Sequence, residues 1–377
     1  MNKFKYYFIL LLAGIAIVSC SKDHDDPEIV PLRDYKEQYK ADNDSIVKYL
    51  NTHYIKEVTA NFDITIEKIP AGGTQTSIMN QTVYPLLSRD VYNHDVTYKV
   101  YYLSLNKGSG DSPTNTDKVF ASYTGSLLDG TVFDSSYGVG RSFELYLYAA
   151  QSVIDGWGEI FPQFKTGTPS APGPDGTITY TDFGAGVMFL PSGLGYYGSG
   201  QDAIPAYSPL VFSFKLLSLQ RLDHDFDGVF DYQEDLNGDG YIYDFRDTAR
   251  YPTPPATMVA DDTDKDGVPD CVDTDDDGDG YSTYYEITKP TNHIGWVDGV
   301  FNGSSTYYPF DPVVDNPSTP NTDETEPRGI PRRPTGPLKT EGQPESIENP
   351  KSFLPADYTA AGRLRIHLDK SYPYQKK

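Results

Sequence analysis

The stretch from Asp223 to Glu234, DHDFDGVFDYQE, sets carboxylates at alternate positions, then a glycine, then a closing glutamate. That spacing leaves the backbone little freedom. Asp223, Asp225 and Asp227 converge on one point only if the chain wraps around it, and Gly228 permits the sharp bend. The pattern recurs at DDDGDGYSTYYE, with Asp275, Asp277, Asp279, Gly280 and Glu286. A third copy, DTDKDGVPDCVD, has Asp262, Asp264, Asp266, Gly267 and Asp270, with Asp273 replacing the glutamate. In a fourth, DLNGDGYIYDFR, Asp235, Asn237 and Asp239 are followed by Arg246 where a carboxylate should close the loop. A hard cation that takes six to eight oxygens suits such loops, so calcium is expected here as a structural ion. Magnesium, which keeps several waters, suits them less well. The candidate ligands are Asp223, Asp225, Asp227, Asp231 and Glu234 in the first loop. In the later loops they are Asp262, Asp264, Asp266, Asp270 and Asp273, then Asp275, Asp277, Asp279 and Glu286.

Of the 54 acidic residues, 20 fall between Asp223 and Glu286, and the chain carries a net charge of -23. That balance argues against a nucleic-acid partner, whose phosphates recruit Lys and Arg. Without a cation, carboxylates this close repel one another, so residues 221–290 should loosen. The segment resembles EF-hand-like loops and the aspartate repeats of thrombospondin type 3 segments. Clear helices do not flank the loops, so an irregular, calcium-cored repeat is expected.

The chain opens with an address. Lys3 and Lys5 precede an apolar run from Tyr7 to Val18, too short to span a bilayer comfortably, and Ser19-Cys20 follows. This resembles a bacterial lipoprotein signal, which implies removal of residues 1–19 and a lipid on Cys20 that holds the protein to a membrane. The acidic run Ser21 to Asp26 resembles the tag of lipoproteins displayed on the outer membrane surface, so an envelope location is expected. Only Cys271 then remains, and no intrachain disulfide is possible.

Residues 20–95 read as a tether and N-terminal extension with a short helix over 42–54, whose apolar stripe is Ile46, Val47, Leu50 and Tyr54. Alternating runs at 62–67, 96–105, 118–136, 141–148 and 208–220 read as strands, with Asp129-Gly130 as a hairpin turn. From residue 291 to 377 the chain is rich in Pro, Thr, Asn and Glu and reads as a partly disordered tail. A late alternating run at 361–372 fits a strand or docking segment.

Trp157 stands between Gly156 and Gly158, after Val153-Ile154. Together with Tyr123-Thr124-Gly125, Asp129-Gly130, Phe133-Asp134-Ser135-Ser136, Pro191, Leu194, Tyr196, Ile204-Pro205 and PLVFSFKLLSL, it forms an ordered series over 96–220. The series resembles the FKBP family of peptidyl-prolyl cis-trans isomerases. The resemblance implies an α+β fold, a twisted antiparallel sheet around one short helix near 156–164, followed by the calcium-binding repeat segment. It also implies a cleft for a proline ring, with Trp157 as its floor and Tyr123, Phe133, Phe143, Val153, Ile154, Tyr196, Ile204 and Phe212 as its walls. Within it, the Ile154 N–H and Tyr196 hydroxyl would hold substrate carbonyls and Asp134 would face the rotating bond. The partners implied are proline-containing polypeptides, with no cofactor for the reaction. Isomerase activity that assists folding of exported proteins is one expectation; a non-catalytic binding module on the same cleft is the other. Three departures bear on the choice. Val139 stands where the family often pairs an Arg with the cleft Asp, with Arg141 nearby. Gly195-Tyr196-Tyr197-Gly198 lets either tyrosine point inward. Pro162 falls inside the expected helix.

Overall fold

The computed structural model describes residues 31–150, 153–316 and 323–373. Cys20 and the lipoprotein-like segment lie outside them. Seven strands build the main sheet: β3 (Leu86–Asn93), β4 (Val96–Asn106), β5 (Lys118–Leu127), β6 (Val132–Ser135), β7 (Arg141–Glu144), β10 (Gly184–Leu190) and β11 (Leu210–Gln220), while β8 (Thr168–Pro169) and β9 (Tyr180–Thr181) pair with each other. The hydrogen-bonded order is β3-β4-β10-β11-β5-β6, all antiparallel, and β7 pairs with the other half of β5. A register shift at Leu216/Ser218 bends β11 against β5. Helix α2 (Asp155–Ile160) and the 3-10 turn Phe161–Gln163 cross one face of this sheet. The expected helix over 156–164 is therefore shorter: Pro162, which lacks an N–H, falls in the tighter turn.

Alternation along the strands feeds two cores. Met188 and Leu190 of β10, with Tyr98 and Val100 of β4 and Phe212 and Phe214 of β11, pack against Trp157, Ile160 and Phe161. Ala185, Val187 and Phe189 point the opposite way, to a second core with Leu103, Leu105 and Val211. Every residue of β10 is buried.

What covers the second face is the N-terminal region. Helix α1 (Tyr35–Thr52) presents Gln38, Asp42, Ile46 and Leu50 inward at four-residue spacing. Ile46 and Leu50 fill the second core together with Ile78. Asp42 Oδ2 accepts the N–H and hydroxyl of Ser192 at 2.8 and 2.6 Å. The helix is thus longer than the expected 42–54, because its first two inward turns are polar. A hairpin of β1 (His53–Val58) and β2 (Ile64–Lys68) follows, and β3 already belongs to the sheet. Residues 35–95 are a packed layer rather than a tether.

The C-terminal region also departs from its expected disorder. Tyr308, Ile330, Tyr358 and Ile366 are buried in one small core with Val229 and Ile287 of the acidic segment. Widely spaced aromatic and β-branched residues meet there, in a chain whose prolines already limit its unfolded freedom. The run at 361–372 forms a 3-10 turn, Ile366–Leu368, instead of a strand. Among the described residues no helix is long and apolar enough to cross a membrane.

Candidate functional site

Trp157 is 4% exposed, and four rings surround it. Tyr123, Phe143 and Phe212 stand with centroids 5.2 Å away and Phe161 at 4.9 Å, in edge-on or tilted poses that suit aromatic quadrupoles. The flanking glycines have a steric reason on one side: a Cβ on Gly156 would fall 2.5 Å from a Leu190 methyl.

A cavity of about 340 Å³ is lined by Tyr123, Phe133, Asp134, Tyr196, Ile204 and Phe212 together with Gln201, Asp202 and Ala203; Trp157, the expected floor, does not line it but packs behind Tyr123 and Phe212. Five of the eight expected wall residues, and the expected Asp134, thus line one open space. Phe143, Val153 and Ile154 lie half-buried against the core beneath it. Gln201, Asp202 and Ala203 escaped the sequence reading, because their tight turn is set by paired Gln201–Ile204 backbone bonds rather than by a motif.

The polar groups are placed by the same strands. The Tyr123 hydroxyl donates to Asp134 Oδ2, and the Ser135 N–H donates to Oδ1 at 2.8 Å. Burial, then the hydrogen bond to Asp134, pushes the Tyr123 phenol up to about 12, so it stays a donor. Among the described residues no ion pair joins Arg141 to Asp134, whose side-chain partner is the Tyr123 hydroxyl. The two tyrosines of the 195–198 turn separate. Tyr196 faces the cavity, while Tyr197 turns back to stack on Tyr35 of α1 at 4.1 Å. Burial, with Asp134 and Asp202 nearby, raises the Tyr196 phenol as well.

The acidic loops share one backbone wrap. In each of the four, the glycine at the sixth position donates to the first aspartate: Gly228 to Asp223 at 3.1 Å, Gly240 to Asp235 at 2.7 Å, and Gly267 to Asp262 and Gly280 to Asp275 at 2.9 Å. All four glycines have φ between 86° and 98°. The loop closed wrongly by Arg246 folds like the others. Asp261, fully buried, accepts the Leu236 N–H at 3.0 Å and lies close enough to Asp235 and Asp239 to be pushed up to about 7, mainly by burial.

Three groups of carboxylates converge within 4.8 Å: Asp225, Asp227, Glu234 and Asp276; Asp262, Asp264 and Asp266; Asp275, Asp277 and Asp279. Buried oxygens of Asp223, Asp225, Asp227, Glu234, Asp275, Asp277 and Glu286 have no hydrogen-bond partner, a donor set that fits a hard cation. Burial first, then neighbouring carboxylates, raises Asp225 to about 8, Asp277 to about 7 and Glu286 to about 10. Asp231 and Asp270 stand apart from the groups. Both oxygens of Asp231 serve His224, and both of Asp270 serve Thr263. Asp273 lies beside Asp264 and Asp266 and accepts the Asp275 N–H at 3.0 Å.

This segment is bolted to the helix that carries Trp157. Asn115 Nδ2 donates to Ile242 O, and the Ile242 N–H donates to Asn115 Oδ1, both at 2.8 Å. Arg250 pairs with Asp155, and Arg89 bridges Glu159 and the Tyr243 hydroxyl at 3.0 and 2.9 Å.

Residues 110–170 match the family model described as FKBP-type peptidyl-prolyl cis-trans isomerase. This stretch is similar to FKBP-type domains. The FKBP-type 22 kDa peptidyl-prolyl cis-trans isomerase of Escherichia coli (strain K12) is 34% identical over 115 residues, covering 30% of this chain and 47% of that one. The peptidyl-prolyl cis-trans isomerase Mip of Coxiella burnetii is 46% identical over 121 residues, 32% of this chain and 44% of that one. The crystal structure of FkpA from Escherichia coli, 31% identical, overlaps with a TM-score of 0.26 over 32% of this chain and 48% of that one. The chain spans less than half the length of each. Beyond that stretch, residues 224–321 match the family model described as BamM C-terminal. That match runs from the acidic loops into the region packed around Tyr308.

Proposed function

We propose that this chain is a peptidyl-prolyl cis-trans isomerase that assists the folding of exported or envelope proteins. It is held to the membrane by a lipid on Cys20 and braced by calcium in its acidic loops. The observation that carries the isomerase reading is the open cavity lined by Tyr123, Phe133, Ile204 and Phe212, with Asp134 and Tyr196 in the same lining.

The chemistry follows from the amide. Rotation about an X-Pro bond forfeits resonance, at a barrier of about 18–20 kcal/mol. The planar amide is charge-separated and water stabilises it; the twisted form carries less separated charge. A water-poor wall of Phe133, Ile204 and Phe212 therefore destabilises the planar state relative to the twisted one. Tyr196 can donate to a substrate carbonyl and hold the chain while the bond turns. Each ~1.4 kcal/mol of such differential stabilisation gives tenfold in rate. No nucleophile or proton transfer enters.

A second reading, a cleft that binds proline segments without turnover, is favoured by one observation: Asp134 pairs with a neutral phenol instead of a guanidinium. A protease-coupled assay on a Xaa-Pro peptide separates the two. The isomerase reading expects turnover by the full chain and its loss by roughly three- to tenfold in Tyr196→Phe, the worth of about one hydrogen bond. Peptide binding with no turnover leaves the binding module standing.

A further inference from the structure

We propose that Asp276, at the second position of the last acidic loop, is a ligand of the cation held by the first loop, so that one calcium ion joins the two ends of the acidic segment. The inference rests on the calcium reading above and adds to it a residue outside the D-x-D-x-D-G spacing.

Alternation explains the placement. Asp275 and Asp277 turn toward the centre of their own loop, and Asp276 between them points away, toward residues 223–234. Its carboxylate reaches within 4.8 Å of ligand atoms from Asp225, Asp227 and Glu234. Asp276 is 1% exposed and Glu234 3%, and neither oxygen of either has a hydrogen-bond partner. Among the described residues no Lys, Arg or His forms an ion pair with any of the four. Three of the four are buried and Asp225 is half-buried, so they can be ionised together only with a counter-charge among them. They offer up to eight oxygens and no nitrogen, the ligand set of calcium rather than of zinc or magnesium.

The position has a mechanical meaning. Between the two loops run Tyr241, Tyr243 and Arg250, which grip α2. An ion shared by residues 225–234 and 276 closes that stretch into a ring and removes its freedom to peel away.

The test is Asp276→Asn in the full chain, read by calorimetric titration with calcium and by thermal melting with calcium and with EDTA. The variant should bind one ion fewer, or hold one at least tenfold more weakly. In EDTA it should melt no lower than wild type, because a buried charge has gone, while its gain on calcium addition shrinks. Asp277→Asn should weaken the last loop's own ion and leave the first. In wild type, the Asp276 carboxylate carbon should shift in NMR together with that of Glu234 during calcium titration, a readout independent of any variant's folding. Wild-type stoichiometry and affinity in Asp276→Asn, or an Asp276 carboxylate that stays put at saturation, would overturn the shared ligand alone. No calcium uptake by the wild-type chain overturns the calcium reading with it.

Discussion

The hydroxyl of Tyr241 donates to the backbone carbonyl of Glu159 at 2.8 Å, two residues beyond Trp157, and accepts from Gln163 Nε2 at the same distance. One ring from the acidic segment therefore ties down the C-terminal end of the helix under the cleft. Arg89 lies 3.4 Å over that ring and pairs with the buried Glu159. The sheet domain and the acidic loops share a wall.

Tyr241→Phe keeps the ring and removes the hydroxyl, leaving a buried carbonyl and amide short of a partner. A loss of about 1–3 kcal/mol in unfolding free energy is expected. Urea denaturation with calcium present measures it, and an unchanged midpoint would show that the tie carries no load.

Ile46→Ala should cost about 2–5 kcal/mol although it lies far from the cleft in sequence. Its side chain, on α1, is fully buried in the second core with Val187 and Phe189 of β10. A surface tether would tolerate the change, so chemical denaturation distinguishes the two pictures.

That layer shows where sequence reading works and where it stops. Trp157, Tyr123 and Phe212 were legible because an ordered set of motif residues fixed them in one site. The inward face of α1 was only half legible: Ile46 and Leu50 follow an apolar stripe, but Asp42 satisfies Ser192, a partner distant in the chain, and Gln38 donates to Asp42. Tyr308, Ile330, Tyr358 and Ile366 show no local period, so their meeting in one core could not be read from spacing. Asp276 and Asp261 were invisible for a related reason. Each acts outside the repeat that contains or precedes it, and ligand patterns describe loops one at a time.

The apo protein should weaken as pH rises. Burial and mutual repulsion lift Asp225 to about 8 and Asp227 and Asp277 to about 7 in the folded chain. Unfolded aspartates titrate near ~3.9. A raised folded value means that protons favour the fold, fully at low pH and progressively less until pH passes the folded value. In EDTA the melting temperature should therefore fall between about pH 4 and pH 8. With saturating calcium the fall should vanish or reverse, because the ion binds the ionised form. Melting curves at several pH values check both signs.

The most direct measurement is the cis–trans exchange rate of a proline peptide, followed by NMR exchange spectroscopy with a small molar fraction of the full chain. The account predicts faster exchange at an unchanged cis/trans ratio, with the gain abolished by Ile204→Arg, which puts a charge into the apolar wall. Peptide resonances that shift on binding while the exchange rate stays at its uncatalysed value would contradict it.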